Sequence, residues 1–263
     1  MSSLTDLLRE TEIVVAEAAA TLVSMQKEPL HASRKDLRDI VTAADLASEK
    51  IVIAGLKKLT PEAGILAEES GKSGGANGAR WIVDPLDGTI NYARGLPWFS
   101  VTVAYEKDGE IVLGLLDAPA MNLKASYLKG DGATVEGKPA FVTQTRSVSD
   151  AVISVILTSH FSDDEVRRTT AIVEKLGRTA RGVRIVISGG LEMSLVASGR
   201  LDAFVSIKAD AVSHAASTEL VRAAGGKVTC LDGCDSRVDD IEKIASNGLI
   251  HDELLSLVRE ALT

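Results

Sequence analysis

The sequence predicts a mixed α+β fold with mostly antiparallel sheets. Strand-like runs at Phe99 to Tyr105 and Glu110 to Leu116 flank Lys107-Asp108-Gly109, a strong hairpin signal. Helical periodicity instead marks the first sixty residues and much of the chain beyond residue 150. No internal repeat and no alternating helix–strand rhythm runs through the first half, so strands and helices are segregated.

Each element has its own signal. Leu4 to Gln26 carries Leu4, Leu7, Leu8, Val14, Val15 and Leu22 at helical spacing. Thr42 reads as the N-cap of a second helix through Leu46, Ile51, Ile53 and Leu56, which Pro61 stops. Gly71 to Gly78 is rich in Gly and Ser without periodicity and reads as an exposed loop. Trp81-Ile82-Val83 reads as a short buried strand ending in a turn at Asp84, because Pro85 removes a backbone donor. A second Asp-Gly follows at Asp131-Gly132. The polar stretch Thr143 to Asp150 is the expected boundary between an N-terminal half (1–145) and a C-terminal half (146–263). Beyond it, Val152 to Leu157 and Leu201 to Ile207 read as strands. Asp163 to Leu176, Leu191 to Ala197 and Ser213 to Ala224 read as helices, the last closed by Gly225-Gly226.

At 263 residues, 45% hydrophobic and 25% charged, the chain is an ordinary globular one that needs no staple to fold. A net charge of −8 and 3% aromatic residues disfavour nucleic-acid binding. The most apolar stretches, such as Ala151 to Leu157, are too short to span a bilayer, so no membrane partner is expected. Met1 to Glu10 is polar, so no secretory leader is expected either. Cys230 and Cys234, in Cys-Leu-Asp-Gly-Cys, read as reduced structural thiols of a cytoplasmic protein. His214 and His251 fall at no zinc-binding spacing from them.

Three acidic segments carry the chemistry. Glu68-Glu69-Ser70 follows an apolar strand-like run, Asp84-Pro-Leu-Asp87-Gly-Thr89 ends the next strand, and Asp45 lies one turn into a helix. Carboxylates brought together at strand ends repel each other and lose solvation, and a hard divalent cation such as Mg²⁺ is the usual remedy. The Asp-x-x-Asp turn can offer two carboxylates and the carbonyl of Leu86. Gly88 lets the backbone approach a ligand, successive N–H groups after it can hold phosphate oxygens, and Thr89 can orient a water. On spacing alone, the same residues also suit a capped turn in which Asp84 and Asp87 satisfy backbone donors.

The wider pattern resembles the inositol monophosphatase family of magnesium-dependent phosphomonoesterases. The match runs in family order through Lys35-x-x-x-Asp39-Ile-Val-Thr42-Ala-Ala-Asp45, Ala67-Glu68-Glu69-Ser70 and Trp81-Ile-Val-Asp84-Pro-Leu-Asp87-Gly-Thr89-Ile-Asn91-Tyr92. It continues through Gly95-Leu-Pro97, Gly130-Asp-Gly132-Ala133, Gly199-Arg-Leu-Asp202-Ala-Phe and Ala224-Gly225-Gly226. The resemblance implies a layered αβαβα sandwich, commonly a homodimer, that hydrolyses a small phosphorylated metabolite with Mg²⁺ at two or three sites. It implies Glu68, Asp84 and the Leu86 carbonyl as ligands of a first metal, with Asp84 bridging to a second that Asp87 helps hold. Asp45 and Thr89 are implied to orient and deprotonate the attacking water. Asp87, Gly88, Thr89, Ser188 and Gly189 are implied on the substrate and phosphate side.

The chain departs from the family pattern at three places. Counting back from Ala224-Gly225-Gly226 puts Ser213 where the family carries its last metal-ligating Asp, which removes a negative charge and weakens the second metal site. Seven residues earlier, where inositol phosphatases often carry a carboxylate for sugar hydroxyls, stands Ser206. The usual Gly-Ser/Thr-Ala-Ala segment reads Ile187-Ser188-Gly189-Gly190. Three readings of the gap at Ser213 stay open: a phosphatase with a weaker second metal, replacement of the missing ligand by Asp210 or His214, or a weak or inactive member that binds a phosphorylated ligand or partner. His214 by itself reads as a surface or satisfied helix residue.

Overall fold

The computed structural model describes residues 3–27, 32–34, 40–75 and 78–263. Lys35 to Asp39, at the head of the first motif segment, and residues 76–77 of the expected loop lie outside the described residues.

The N-terminal half pairs two helices with a large sheet. Helix α1 (Leu4–Met25) begins at a capping box in which Ser3 and Asp6 each satisfy the other's N–H. The short ribbon of β1 (Ala32–Arg34) and β2 (Ile40–Thr42) leads into α2 (Ala43–Leu59), where Thr42 and Asp45 form a second capping box. The sheet strands are β3 (Gly64–Ala67), β4 (Gly71–Ser73), β5 (Ala79–Asp87), β6 (Ser100–Lys107), β7 (Glu110–Ala118), β8 (Leu123–Leu128), β9 (Gly132–Val135) and β10 (Lys138–Pro139). The short helix α3 (Thr89–Ala93) stands between β5 and β6. The spatial order is β10-β9-β8-β7-β6-β5-β3-β4, antiparallel throughout except for the parallel pair β3–β5. At the β6–β7 turn, Asp108 and Gly109 both have positive φ, the backbone that an Asp-Gly hairpin favours.

The C-terminal half contributes β11 (Val152–Val155), α4 (Asp163–Thr179), β12 (Gly182–Arg184), α5 (Gly189–Ala197), β13 (Ala203–Ser206), α6 (Ala211–Ala223), β14 (Lys227–Thr229), β15 (Lys243–Ser246) and α7 (His251–Leu262). Its sheet runs β12-β11-β13-β15-β14, with the first two pairs parallel and the last two antiparallel. Helices α1 and α2 cover one face of the large sheet, while α6 and α5 pack between the two sheets. Helices α4 and α7 pair on the far side of the small sheet. The order of layers is therefore αβαβα.

Packing explains the layers. Leu7, Val15, Leu22, Val52 and Leu56 interleave with Trp81, Val83, Val101 and Leu113 beneath α1 and α2. Gly114 lets α6 approach β7 closely, since a Cβ there would meet the Ala216 backbone at 3.1 Å.

Three local expectations need correction. Strand β5 does not stop at Asp84 but continues to Asp87, with its register against β6 shifted between those residues. Pro85 interrupts the ladder without ending it, and the Leu86 N–H turns to Asp84 Oδ1 at 3.0 Å. Gly71 to Ser73 forms edge strand β4 rather than loop, because backbone pairing at an edge needs no apolar side chains. Helices α5 and α6 each start two residues earlier than periodicity indicates, at Gly189 and Ala211, since a hydrophobic pattern marks helix ends only to within a residue or two and the buried Gly189 and Gly190 add no side chain to it.

Candidate active site

The strand-end acids meet where β5 leaves the sheet. A cleft of about 390 Å³ is lined by Glu68, Asp84, Leu86, Asp87, Gly88 and Thr89 from the N-terminal half. The facing wall is C-terminal and includes Ile187, Gly189, Asp210, Ser213 and His214. Asp45 stands behind it, buried, and accepts the Thr89 hydroxyl on Oδ1 at 3.0 Å. Its Oδ2 takes the Thr42 N–H at 2.8 Å and the Thr42 hydroxyl at 2.5 Å, so the α2 capping box fixes the carboxyl. Burial raises the Asp45 carboxyl above the ordinary range, against the pull of the Thr42 bonds.

Asp84 is the most perturbed of these acids. Burial, and then the negative charges of Glu68, Asp87 and Asp210, push it well above the usual carboxylate range. Its Oδ2 accepts the Ser213 hydroxyl at 2.7 Å. Asp87 is also raised by burial, opposed first by a 2.8 Å hydrogen bond from Ser188 Oγ to its Oδ2. Neither acid has a Lys or Arg partner among the described residues. Glu68, by contrast, is exposed at the cleft mouth, where the end of β3 places it.

Gly88 is required on two counts. Its φ of 91° lies in the left-handed region, and a Cβ there would stand 2.5 Å from the Trp98 carbonyl oxygen. No side chain caps the start of α3 behind it. The donor set is oxygen throughout, the chemistry that suits a hard divalent cation. Among the described residues, no three acidic, histidine or cysteine side chains yet close around a single point.

Several residues differ from their sequence reading. His214 is neither exposed nor satisfied. It is buried, its Nδ1 bonds the Asp210 carbonyl at 2.8 Å, and Nε2 has no hydrogen-bond partner among the described residues. Its ring occupies space left open by Gly189, where a Cβ would fall 2.4 Å from Nε2. Asp210 is the N-cap of α6, accepting the Ser213 N–H at 2.7 Å, and lines the cleft. Ser206 is buried on β13 and accepts the Lys208 N–H. Cys230 is half-buried and Cys234 exposed, both with free thiols, and neither lines the cleft.

Sequence reasoning missed Glu192. It lies wholly buried on α5, and burial raises its carboxyl to about 8. A glutamate inside the apolar run Leu191 to Ala197 was the available signal, because an acid is almost never fully buried without a reason. Ile187 was also missed as a strained position. It holds φ at 62° although it is β-branched, in the segment where the resemblance expects glycine.

Comparison with known proteins identifies the family. The profile of the inositol monophosphatase family matches residues 3–263. A fructose-1,6-bisphosphatase/inositol-1-monophosphatase of Thermotoga maritima is 35% identical over 225 residues, covering 86% of this chain and 84% of the relative. A Nus factor SuhB of Pasteurella multocida is 30% identical over 242 residues, covering 90% and 89%. The crystal structure of the extragenic suppressor protein suhB from Bartonella henselae superposes with a TM-score of 0.92 at 29% identity, covering 97% of this chain and 99% of that one. The chain belongs to the inositol monophosphatase family.

Proposed function

We propose that this protein is a Mg²⁺-dependent phosphatase that hydrolyses a small phosphate monoester such as an inositol or sugar phosphate. The observation that carries the reading is Asp84, a carboxylate buried among other carboxylates with no Lys or Arg to balance it among the described residues. Glu68, Asp84, Asp87 and the Leu86 carbonyl would hold the metal, and Ser213 weakens one position by supplying a hydroxyl where the family has a carboxylate. When bound, Mg²⁺ supplies charge to a phosphate oxygen and acidifies a coordinated water.

The chain's own groups do the rest. Thr89 Oγ1 has one proton and two acceptors in reach, Asp45 Oδ1 and the Leu86 carbonyl, each at 3.0 Å. With that proton directed to Asp45, the Thr89 oxygen presents a lone pair to a water in the cleft. A proton leaving the water passes to Thr89 Oγ1 as the Thr89 proton moves to Asp45 Oδ1. The raised Asp45 carboxyl makes it a better base for this step. The N–H groups of Gly88 and Thr89, at the uncapped start of α3, would receive phosphate oxygens. Gly189 lines the other side of the cleft, and Ser188 beside it is buried with its hydroxyl on Asp87; their place on the substrate side follows from the resemblance to the family.

The loss of a carboxylate at Ser206 argues against a substrate held by that contact, so the proposal stops at the class of small phosphate monoesters. A homodimer and a cytoplasmic setting are part of this reading, by resemblance to the family. Phosphate release from a panel of phosphorylated polyols and sugars, with Mg²⁺ and with a chelator, tests it. Turnover that needs Mg²⁺ and disappears in Asp84→Asn supports it. Ligand binding without hydrolysis at saturating Mg²⁺ identifies a binding-only member instead.

A further inference from the structure

Asp87 is gripped on one oxygen only. Its Oδ2 accepts Ser188 Oγ at 2.8 Å, the Leu191 N–H at 3.2 Å and Ser100 Oγ at 3.3 Å. No hydrogen bond reaches Oδ1 from the described residues. Ser188, the nearest of the three donors, is itself held. Its N–H donates to Glu192 Oε2 at 2.9 Å, and its carbonyl accepts the Glu192 N–H at 2.8 Å. The other Glu192 oxygen takes the Ser154 hydroxyl from β11. On the chain side of Ser188, Asn91 straps the strained Ile187 by donating Nδ2 to the Val186 carbonyl at 2.7 Å and the Ile187 carbonyl at 3.2 Å.

We propose that Glu192 is a positioning residue for cation selectivity: through Ser188 it keeps Asp87 Oδ2 engaged with the protein, so that Asp87 offers the cleft Oδ1 alone. The inference rests on the reading of Asp87 as a cation ligand. A carboxylate pinned at one oxygen is a one-oxygen ligand, which suits the small, strictly octahedral Mg²⁺. A carboxylate free to rotate can offer both oxygens, which suits the larger and less demanding Ca²⁺. Packing alone does not call for an acid at this position, since Leu191 and Met193 beside it are apolar and equally buried. What the carboxyl adds is an acceptor for the Ser188 N–H in a place no water reaches.

The test is direct cation binding to the full-length protein, by Mn²⁺ paramagnetic resonance with Mg²⁺ and Ca²⁺ as competitors. Glu192→Met, which keeps volume but loses the acceptor, is expected to weaken Mg²⁺ by about tenfold, as loss of an outer-shell partner does, and Ca²⁺ by less. Ser188→Ala should lower the Mg²⁺ to Ca²⁺ preference in the same direction, and the double variant should go no further than either single one. Glu192→Gln, which retains an oxygen for the Ser188 N–H, should restore the preference. A preference unchanged in Ser188→Ala overturns the proposal even if Glu192→Met does not fold, as does wild-type selectivity in a folded Glu192→Met. If Asp87→Asn leaves both affinities unchanged, the reading of Asp87 as a ligand is what has failed.

Discussion

Ser213 donates a 2.7 Å hydrogen bond to Asp84, joining the first turn of α6 to the end of β5 across 129 residues of sequence. The contact puts a neutral hydroxyl where a carboxylate would face three others, and it pulls the Asp84 pKa down against burial and the neighbouring charges. This pair defines how the second half of the chain completes the cleft of the first.

Ser213→Asp should therefore have opposite effects without and with metal. Without metal it replaces a donor with a fourth negative charge beside Asp84, and the melting temperature falls. With Mg²⁺ it supplies the missing ligand charge, so half-saturation should fall by about tenfold, equivalent to roughly 1.4 kcal/mol of binding. An unchanged Mg²⁺ titration contradicts the place assigned to Ser213.

Ile187→Gly should stabilise the fold. The backbone there already has a glycine-like φ of 62°, and relieving a β-branched residue of that conformation is worth about 1 kcal/mol net of the added freedom of the unfolded chain. For a chain of this size the gain corresponds to about 2 °C in melting temperature. A lower melting temperature would show that the side chain's contacts in the cleft outweigh the strain.

Gly189 and His214 should behave as a fitted pair. A Cβ at residue 189 would stand 2.4 Å from His214 Nε2, inside a buried ring packed against Phe204. Gly189→Ala is expected to cost about 1–3 kcal/mol by urea unfolding, the usual range for overpacking. In a His214→Ala background the same change should cost less than about 0.5 kcal/mol. Equal costs in both backgrounds would separate the two residues.

The pH dependence of stability follows from Glu192. Its carboxyl titrates at about 8 in the folded protein against 4.5 as the ordinary value, so the folded state holds an extra proton between those limits. Stability accordingly falls as pH rises from about 4.5 to about 8. Glu192→Gln has no proton to lose there. Its melting temperature should match the wild type near the acid end and exceed it above about pH 8, and parallel curves would contradict the buried, protonated state.

Much of this was legible in the sequence because it is written locally. The Thr42–Asp45 capping box, the Asp108-Gly109 hairpin and the closing Gly225 each lie within a few residues of their cause. The acids at strand ends were legible for the same reason, since apolar runs locate the ends. What stayed hidden depends on distant partners. Whether Asp84 ends its strand was decided by pairing with β6, which Pro85 alone does not reveal. Glu192 is bonded by Ser154 of β11, 38 residues away in sequence, and His214 is covered at Gly189, a contact that the packing of α5 against α6 brings about. Ile187 carries a backbone angle that its own side chain disfavours, so propensity points the wrong way there.

The central claim is that Glu68, Asp84, Asp87 and the Leu86 carbonyl hold a divalent cation beside the Gly88–Thr89 backbone. Anomalous scattering from crystals soaked in Mn²⁺ with inorganic phosphate tests it most directly. The account predicts metal peaks within about 2.0–2.6 Å of those oxygens, with phosphate against the start of α3. Crystals in which the four oxygens point apart, with no metal between them at saturating Mn²⁺, would contradict it.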